Sequence, residues 1–305
     1  MNSTAVKDDL LEKKEWVERF LARSPRQLAA FAFPAIFTWK DHFDFRFEVI
    51  DDALCIFADS ILGTFLYLPP LGATVDGKVI EEVFRRMKET NGPGGITRIE
   101  NVPVGLAHLF PQDKYSLYLK GHEYCYYKDD LTGLHGNAFK SKRGEYNHFV
   151  GNNSYEYLPY EDSMKDECLA LYGDWAGERK ASHADDIYRH MLDENHSVHE
   201  KALRFSRELG LVGRVVRVDK KIRAYTFGYP VNEKMFCVFL EVADISLKGL
   251  PVFIFREFCA DPQLEEYHFI NAMDDFAMPQ LRETKMSFRP HVLLASYAAT
   301  ERGGA

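Results

Sequence analysis

The sequence predicts an α+β fold in which one order of elements, strand–strand–strand–helix–strand, occurs twice. Short segments alternate apolar with polar residues, and amphipathic helical stretches separate them. Aromatic residues make up 14% of the chain, and so large a content of rings favours a sheet-rich core. The 305 residues are about twice the ~150 of a typical single domain, which predicts two modules.

The first copy of this order lies in the amino-terminal half. Phe43, Phe45 and Phe47 alternate with charged residues, as is typical of a half-buried strand. The turn Asn91-Gly92-Pro93 ends the helix of this copy. The predicted elements are a helix at 8–21, strands at 43–50, 54–57 and 64–68, a helix at 78–89 and a strand at 96–102.

The second copy lies in the carboxyl-terminal half. Its third strand, at 235–242, is apolar on both faces, which is typical of a central strand that is covered from both sides. The predicted elements are strands at 212–218, 223–231 and 235–242, a helix at 249–258, a strand at 267–270, a helix at 279–287 and a strand at 291–297. Between the copies we expect hairpin-like strands at 115–120 and 123–128, a strand at 155–158 and long helices up to 209. No flexible linker is visible, so a cleft between the two halves is the first place to expect a ligand.

Composition excludes several classes of protein. The net charge of −8 argues against a protein whose whole surface binds nucleic acid. No apolar stretch is long enough to span a bilayer, and the charged amino terminus lacks the core of a signal peptide. The five cysteines have no Cys-x-x-Cys spacing, and His190, His196 and His199 lack a converging third ligand. We therefore expect a cytoplasmic protein with buried thiols and no metal site.

Several motifs carry a resemblance to a known family. They are Phe33-Pro34-Ala35-Ile36-Phe37-Thr38-Trp39, the block from Tyr126 to Leu134, Phe139-Lys140-Ser141-Lys142-Arg143 with Asn147-His148-Phe149, Glu241-Val242-Ala243-Asp244, and the block from Ile270 to Pro290. In these motifs the chain resembles bacterial soluble proteins related to the carboxyl-terminal catalytic domain of phosphatidylglycerol lysyltransferases. The resemblance implies a tandem pair of GNAT-like (acyl-CoA N-acyltransferase-like) domains, as in the Fem-type transferases. We expect mixed, mainly antiparallel sheets flanked by helices, with the domains at 1–150 and 151–305.

The resemblance also implies a reaction. Characterised relatives transfer an aminoacyl group from a charged tRNA to a lipid head group or a peptide amine. Two departures separate this chain from the family's usual pattern: Ala272-Met273 stand where an Arg-Glu pair is typical, and Ala277 and Gln280 replace glycines. A non-catalytic ligand-binding protein with the same fold is therefore an alternative to an aminoacyltransferase.

Glu241 is the candidate general base. It lies near the end of the apolar strand, and alternation places it on the face of Met235, Cys237 and Phe239. Partial burial there would raise the pKa of its carboxyl toward the range that is useful for a base. The alternative is a strand-end carboxylate in an ion pair.

A second group of candidates lies around the helix at 279–287. Asp275 and Arg282 are expected to take part in catalysis, and a further set is expected to bind substrate: Asn271, Asp274, Lys285, Asp244 and Tyr229. Arg282 and Lys285 are three residues apart and hence share a helix face, where they could bind a carboxylate, a phosphate or the 3′ end of a tRNA. The carboxylates could instead cap the helix, and the charges could form a structural ion-pair cluster.

Two further patterns concern the donor. Lys140, Lys142 and Arg143 lie among aromatic residues, a pattern that suits contact with phosphate or RNA but also a solvated helix face. The turn after the strand of Glu241 lacks the glycine-rich sequence that binds the pyrophosphate of coenzyme A, and Asp244 places a negative charge there. We therefore expect aminoacyl-tRNA as the donor, with acyl-CoA as the alternative.

Overall fold

The computed structural model describes residues 9–182 and 185–303, except for the side chains of Ser182 and Ile187. The strands, in chain order, are β1 (Asp44–Ile50), β2 (Ala53–Ser60), β3 (Gly63–Leu66), β4 (Ile99–Pro103), β5 (Tyr115–Tyr127), β6 (Tyr155–Pro159), β7 (Val212–Val218), β8 (Lys221–Pro230), β9 (Met235–Ala243), β10 (Phe269–Asn271) and β11 (Val292–Glu301). The helices are α1 (Asp9–Glu12), α2 (Lys14–Arg23), α3 (Phe33–Thr38), α4 (Gly77–Asn91), α5 (Lys128–Gly133), α6 (Lys140–Asn152), α7 (Lys165–Ser182), α8 (Asp186–Arg204), α9 (Ser206–Leu209), α10 (Leu250–Cys259) and α11 (Pro279–Ser287).

The chain forms two compact units, and the divisions between them fall inside β5, after His122, and inside β11, before Leu294. The predicted division into GNAT-like domains at 1–150 and 151–305 stays a prediction. Asp8, the first residue of the predicted amino-terminal helix, lies outside the described residues.

The first unit contains β1 to β4, which lie side by side in chain order. β1, β2 and β3 are joined by antiparallel pairing, whereas β3 and β4 are parallel. That parallel step requires a crossover, which α4 supplies. Asp76 caps α4 by accepting hydrogen bonds from the backbone N–H groups of Lys78 and Val79.

Both faces of this sheet are covered. On one face α4 buries its apolar stripe, which includes Val83 and Phe84, against Phe57 of β2. On the other face Phe47 of β1 contacts Trp16 of α2 with 6.3 Å between ring centroids. The alternation predicted for β1 is therefore present, since its phenylalanines and its charged residues point to opposite faces.

The second unit contains the end of β5 and, beside it in space, β10, β9, β8, β7 and β6. Every neighbouring pair in this set is antiparallel except β9 with β10, which is parallel. α10 connects β9 to β10, so the order strand–strand–strand–helix–strand occurs here as well. The residues of α10 pack with Phe236 and Val238 of β9, while α7 and α8 lie against the opposite face, where His199 bonds Tyr225.

β5 differs from the prediction. The two hairpin-like strands expected at 115–120 and 123–128 are one strand of 13 residues. Gly121 and His122 continue the strand instead of turning it. β5 is hydrogen-bonded to β11 on one edge and, from Cys125 to Tyr127, to β10 on the other edge, so its two halves do not pair with each other. Within the described residues, no helix has the length and apolar composition that crossing a bilayer requires.

Candidate functional site

The candidate site lies in the second unit, where β9 and β10 separate. β10 pairs with β9 only from Met235 to Cys237, whereas β9 continues to Ala243. Beyond Asn271 the chain instead follows β5, since Ala272 and Met273 exchange backbone hydrogen bonds with Tyr124. The last six residues of β9 therefore extend past their parallel neighbour, leaving one edge of the strand beyond the reach of β10.

A β-bulge at Phe239 changes the direction of the side chains that follow it. Gly228 of β8 pairs with Val238 of β9, but the next residue, Phe227, pairs with Leu240, so that Phe239 is the additional residue. Alternation restarts after the bulge, and Glu241 consequently lies on the face of Val238, toward α10. The prediction that Glu241 shares a face with Cys237 was wrong, because the inserted residue shifts the alternation of side chains between the two faces by one position.

One oxygen of the Glu241 carboxyl group is removed from water without a compensating hydrogen bond. The residue is half-buried, but its Oε2 atom is sealed from solvent and has no hydrogen-bond partner among the described residues. Burial raises the pKa of the carboxyl to about 8, while the nearby Lys285 ammonium acts in the opposite direction. Glu241 is therefore a carboxyl group that changes charge close to neutral pH.

Lys285 points inward from α11 and holds the loop that precedes this helix. Its Nζ donates a hydrogen bond of 2.5 Å to the carbonyl of Ala272 and a second one to the carbonyl of Asp274. The ammonium also lies 5.7 Å from the ring centroid of Tyr124. Burial lowers the pKa of Lys285, and the charge of Asp274 partly opposes this effect.

Asp275 is held by a strand residue. The hydroxyl of Tyr124 donates a hydrogen bond of 2.5 Å to its Oδ2, and the backbone N–H of Ala277 donates to its Oδ1 at 3.0 Å. Burial and this carboxylate raise the pKa of Tyr124 to about 12, whereas the positive charge of Arg282 acts to lower it. Arg282 is exposed, and its guanidinium contacts no partner in the part of the chain that the structure describes.

The loop between Asn271 and α11 has an unusual backbone. Met273, Phe276 and Ala277 adopt positive φ values of 59°, 49° and 57°. This left-handed region favours glycine, because a Cβ atom crowds the backbone there. The conformation places strained residues directly beside Asp275.

Asn271 and Tyr229 lie on the other face of the sheet. Asn271 is 0% exposed and donates a 2.5 Å hydrogen bond to Glu123, while its Oδ1 accepts one from Met273 N–H. It pairs in register with Cys237, whose thiol is bonded by Tyr229. Both predicted substrate-binding residues thus make contacts within the protein, and the structure does not bring them to the face of Glu241.

Asp244 follows β9 and is occupied in shaping the next turn. Its Oδ2 accepts a 2.9 Å hydrogen bond from Arg223, and its Oδ1 accepts bonds from the backbone N–H and the hydroxyl of Ser246. Both oxygens of the carboxylate thus accept hydrogen bonds within the protein, and these bonds stabilise the turn.

The three basic residues predicted to contact phosphate or RNA lie on α6 and differ in their surroundings. Arg143 donates to the backbone carbonyls of Leu134 and Gly136, and Lys142 lies 4.6 Å from the ring centroid of Phe288. Lys140 is exposed, and its side chain forms no hydrogen bond or ion pair within the described part of the chain. Contact with RNA through this group stays a prediction, with Lys140 as its most accessible member.

The structure also adds residues that sequence reasoning missed. Tyr124 positions Asp275, Thr226 lies opposite Glu241 in β8, and Cys259 of α10 faces Glu241 closely enough for their charges to interact. The alternation of Tyr124 and Tyr126 along β5 could have indicated a buried strand face. Nothing in the sequence around Thr226 indicated a role for that residue. Among the described residues, no three His, Cys, Asp or Glu side chains converge on a metal position.

Comparison with known proteins identifies a family whose sequence model matches this chain. The sequence model of the family "Phosphatidylglycerol lysyltransferase, C-terminal" matches residues 21–300. None of the curated proteins matches the sequence.

Solved structures share the fold. A conserved protein of unknown function from Bacteroides thetaiotaomicron is 26% identical with a TM-score of 0.85, and the match covers 97% of this chain and 99% of that one. L-PGS from Bacillus licheniformis is 17% identical with a TM-score of 0.69, over 95% and 92% of the two chains. A tandem GNAT protein from the clavulanic acid biosynthesis pathway is 8% identical with a TM-score of 0.50, over 99% and 98%. The predicted α+β fold of GNAT type is therefore confirmed.

Proposed function

Because the chain belongs to the family of the phosphatidylglycerol lysyltransferase carboxyl-terminal domains, we propose that it is an acyltransferase of the aminoacyl-transferase type. It takes an aminoacyl group from an aminoacyl-tRNA and transfers it to an amine or hydroxyl acceptor, such as a lipid head group or a peptide. A charged tRNA as donor assigns the protein to the cytoplasm. One observation carries the proposal: Glu241 offers a carboxyl group of pKa about 8 beside the edge of β9 that β10 leaves unpaired.

Glu241 acts as the general base. Its carboxylate removes a proton from the acceptor nitrogen or oxygen while that atom bonds to the carbonyl carbon of the aminoacyl ester. The carbonyl oxygen becomes an oxyanion, for which backbone N–H groups on the edge of β9 that β10 leaves unpaired are suitable donors. When the ester C–O bond breaks, Glu241 returns its proton to the ribose oxygen, which leaves as a hydroxyl, and the new amide or ester is released.

The other charged residues orient the donor. Arg282 is an exposed guanidinium without an internal partner among the described residues, which suits it to bind a phosphate of the donor. Asp275, fixed by Tyr124, lies near it and is able to bind the α-ammonium of the aminoacyl group. Lys285 keeps the intervening loop in place through its bonds to the carbonyls of Ala272 and Asp274.

Transfer of labelled amino acids from a complete set of charged tRNAs to a panel of lipids, peptides and small amines tests the reaction. We expect transfer with at least one donor and acceptor, and a loss of about 10²–10⁴-fold in kcat for Glu241→Gln. Absence of transfer across the whole panel would remove the proposal.

A thioester donor is distinguished by binding. Asp244 occupies the turn where the pyrophosphate of coenzyme A would lie, and its oxygens are already used within the turn. We therefore expect no change in melting temperature with millimolar acetyl-CoA. A ligand present at 100 times its Kd would stabilise the fold by about 2.7 kcal/mol, which such a measurement detects readily.

A further inference from the structure

Two buried polar atoms without partners stand next to each other in the sheet of the second unit. Thr226 of β8 is 0% exposed, and its Oγ1 has no hydrogen-bond partner among the described residues; the same holds for Oε2 of Glu241 in β9. The two residues are direct partners in the register of β8 and β9. Their side chains therefore project from the same face, with Cβ atoms about 4.5–5.5 Å apart, as for any directly opposed pair.

This arrangement is unfavourable for the free protein. A hydroxyl that leaves water without gaining a hydrogen bond costs stability, and such groups are rare in native interiors. Thr38, which is also 0% exposed, shows the usual solution, since its Oγ1 donates a 2.9 Å hydrogen bond to the carbonyl of Pro34. A valine in place of Thr226 would have the same shape without the unsatisfied hydroxyl, so the hydroxyl calls for a role other than stability.

We propose that Thr226 and Glu241 together bind the amino group of the acceptor, with Thr226 as a positioning residue. This inference rests on the proposed function and makes the acceptor a primary amine. A neutral amine has two N–H groups and one lone pair. It can donate one hydrogen to Glu241 and the other to Thr226, each at ordinary hydrogen-bond distance, while its lone pair remains free to attack the donor carbonyl.

The surrounding charges favour an amine over a fixed ammonium. The charges of Lys285 of α11 and Cys259 of α10 interact with Glu241. On its other side Thr226 pairs in register with Arg214, whose charge is matched by Asp261. The Lys285 ammonium is held by backbone carbonyls and cannot turn away, so it repels a second cation beside Glu241. A neutral amine avoids this repulsion and leaves Glu241 ionised as the base, and Thr226 supplies a neutral second contact.

Methylamine is the probe for the experiment. Protein labelled with [5-¹³C]glutamate is titrated with methylamine and followed by NMR, with the Glu241 resonance assigned by its loss in Glu241→Gln. We expect a saturable shift of this resonance in the native protein, retention of the shift in Thr226→Ser, and at least fivefold weaker methylamine binding in Thr226→Val and in Thr226→Ala. Thr226→Val should not have a lower melting temperature than the native protein. Thr38→Val is the matched control: it should have a lower melting temperature and an unchanged methylamine response.

The outcomes separate this inference from the reaction itself. Equal methylamine binding by the native protein and Thr226→Val, or a melting temperature of Thr226→Val lowered as in Thr38→Val, would overturn it by showing that the hydroxyl is inert or structural. Methylamine binding that depends on Thr226, together with no aminoacyl transfer, would leave the amine site standing and remove the reaction. Where transfer occurs, Thr226→Val should raise KM for the amine more than it lowers kcat.

Discussion

The Tyr124 hydroxyl donates a 2.5 Å hydrogen bond to Asp275, so that a residue of β5 fixes a carboxylate 151 positions later in the chain. The bond joins a buried ring to the strained loop before α11. Tyr124→Phe removes the donor and should lower the free energy of unfolding by about 2 kcal/mol, because hydrogen bonds to charged groups contribute about 1.5–3 kcal/mol. Urea unfolding measures the difference. Tyr127→Phe, which removes a hydroxyl from an exposed ring, should change stability by less than about 0.5 kcal/mol.

Glu241 should make the protein less stable as pH rises. Its pKa is raised in the folded state from an ordinary 4.5 to about 8, so folding favours the protonated form. Stability is therefore full below pH 4.5 and is lost as pH increases toward 8, by about 1.4 kcal/mol per pH unit at most. Glu241→Gln lacks this ionisation and should gain stability relative to the native protein over that interval. Parallel stability curves for the two proteins between pH 5 and 8 would show that the carboxyl is not buried as described.

The same ionisation should govern the reaction rate. With Glu241 as the base, kcat/KM should rise about tenfold per pH unit below pH 8 and level off above it. The pH profile of the transfer assay measures this dependence. A profile that levels off near pH 5 would assign the base to another group.

Ala277→Gly should stabilise the fold. Ala277 is exposed and adopts a φ of 57°, where glycine is free of the crowding that alanine experiences. We expect the free energy of unfolding to increase by up to about 1 kcal/mol. Ala260→Gly is the control, because Ala260 is also exposed but has a φ of −89°, and glycine there should reduce stability by about 0.5–1 kcal/mol. A loss of stability in both variants would contradict the strain inferred for this loop.

Asp261→Ala should be among the more damaging single changes in the second unit. Asp261 is buried and receives two hydrogen bonds from Arg214, at 2.6 and 2.9 Å. Without the carboxylate the Arg214 charge remains buried and unpaired, which costs about 3–5 kcal/mol. Chemical unfolding should show this loss. Asp162→Ala removes the partner of Arg207 in an ion pair whose side chains are 68% and 85% exposed, and it should cost less than about 1 kcal/mol.

Much of the fold followed from patterns within single segments. The phenylalanines of β1 and the apolar run of β9 define strands because burial of a strand face leaves a period of two. β5 was misread because Gly121 and His122 interrupt the apolar pattern, and only the neighbouring strands β10 and β11 show that the strand continues. Those partners lie far away in sequence, where local patterns carry no information.

The site was less predictable for the same reason. Arg282 and Lys285 share a helix face by spacing, yet one is exposed and the other is held by carbonyls of the preceding loop. The face of the sheet to which the Glu241 side chain points depends on a bulge, and no residue in the sequence indicates that bulge. Residue chemistry therefore identified Glu241, Asp275 and Arg282 as candidates, while their surroundings required tertiary contacts.

Each of the two units contains at least one buried cysteine, whose reaction with an alkylating reagent reports that the unit has unfolded. Cys55 belongs to the first unit and Cys125, Cys168, Cys237 and Cys259 to the second, and all five thiols are buried with pKa values raised by that burial. Alkylating reagents can reach them only when the surrounding structure opens. Pulse labelling followed by peptide mass spectrometry thus times the exposure of Cys55 separately from that of the other four, and so reveals whether the two units unfold together or in turn.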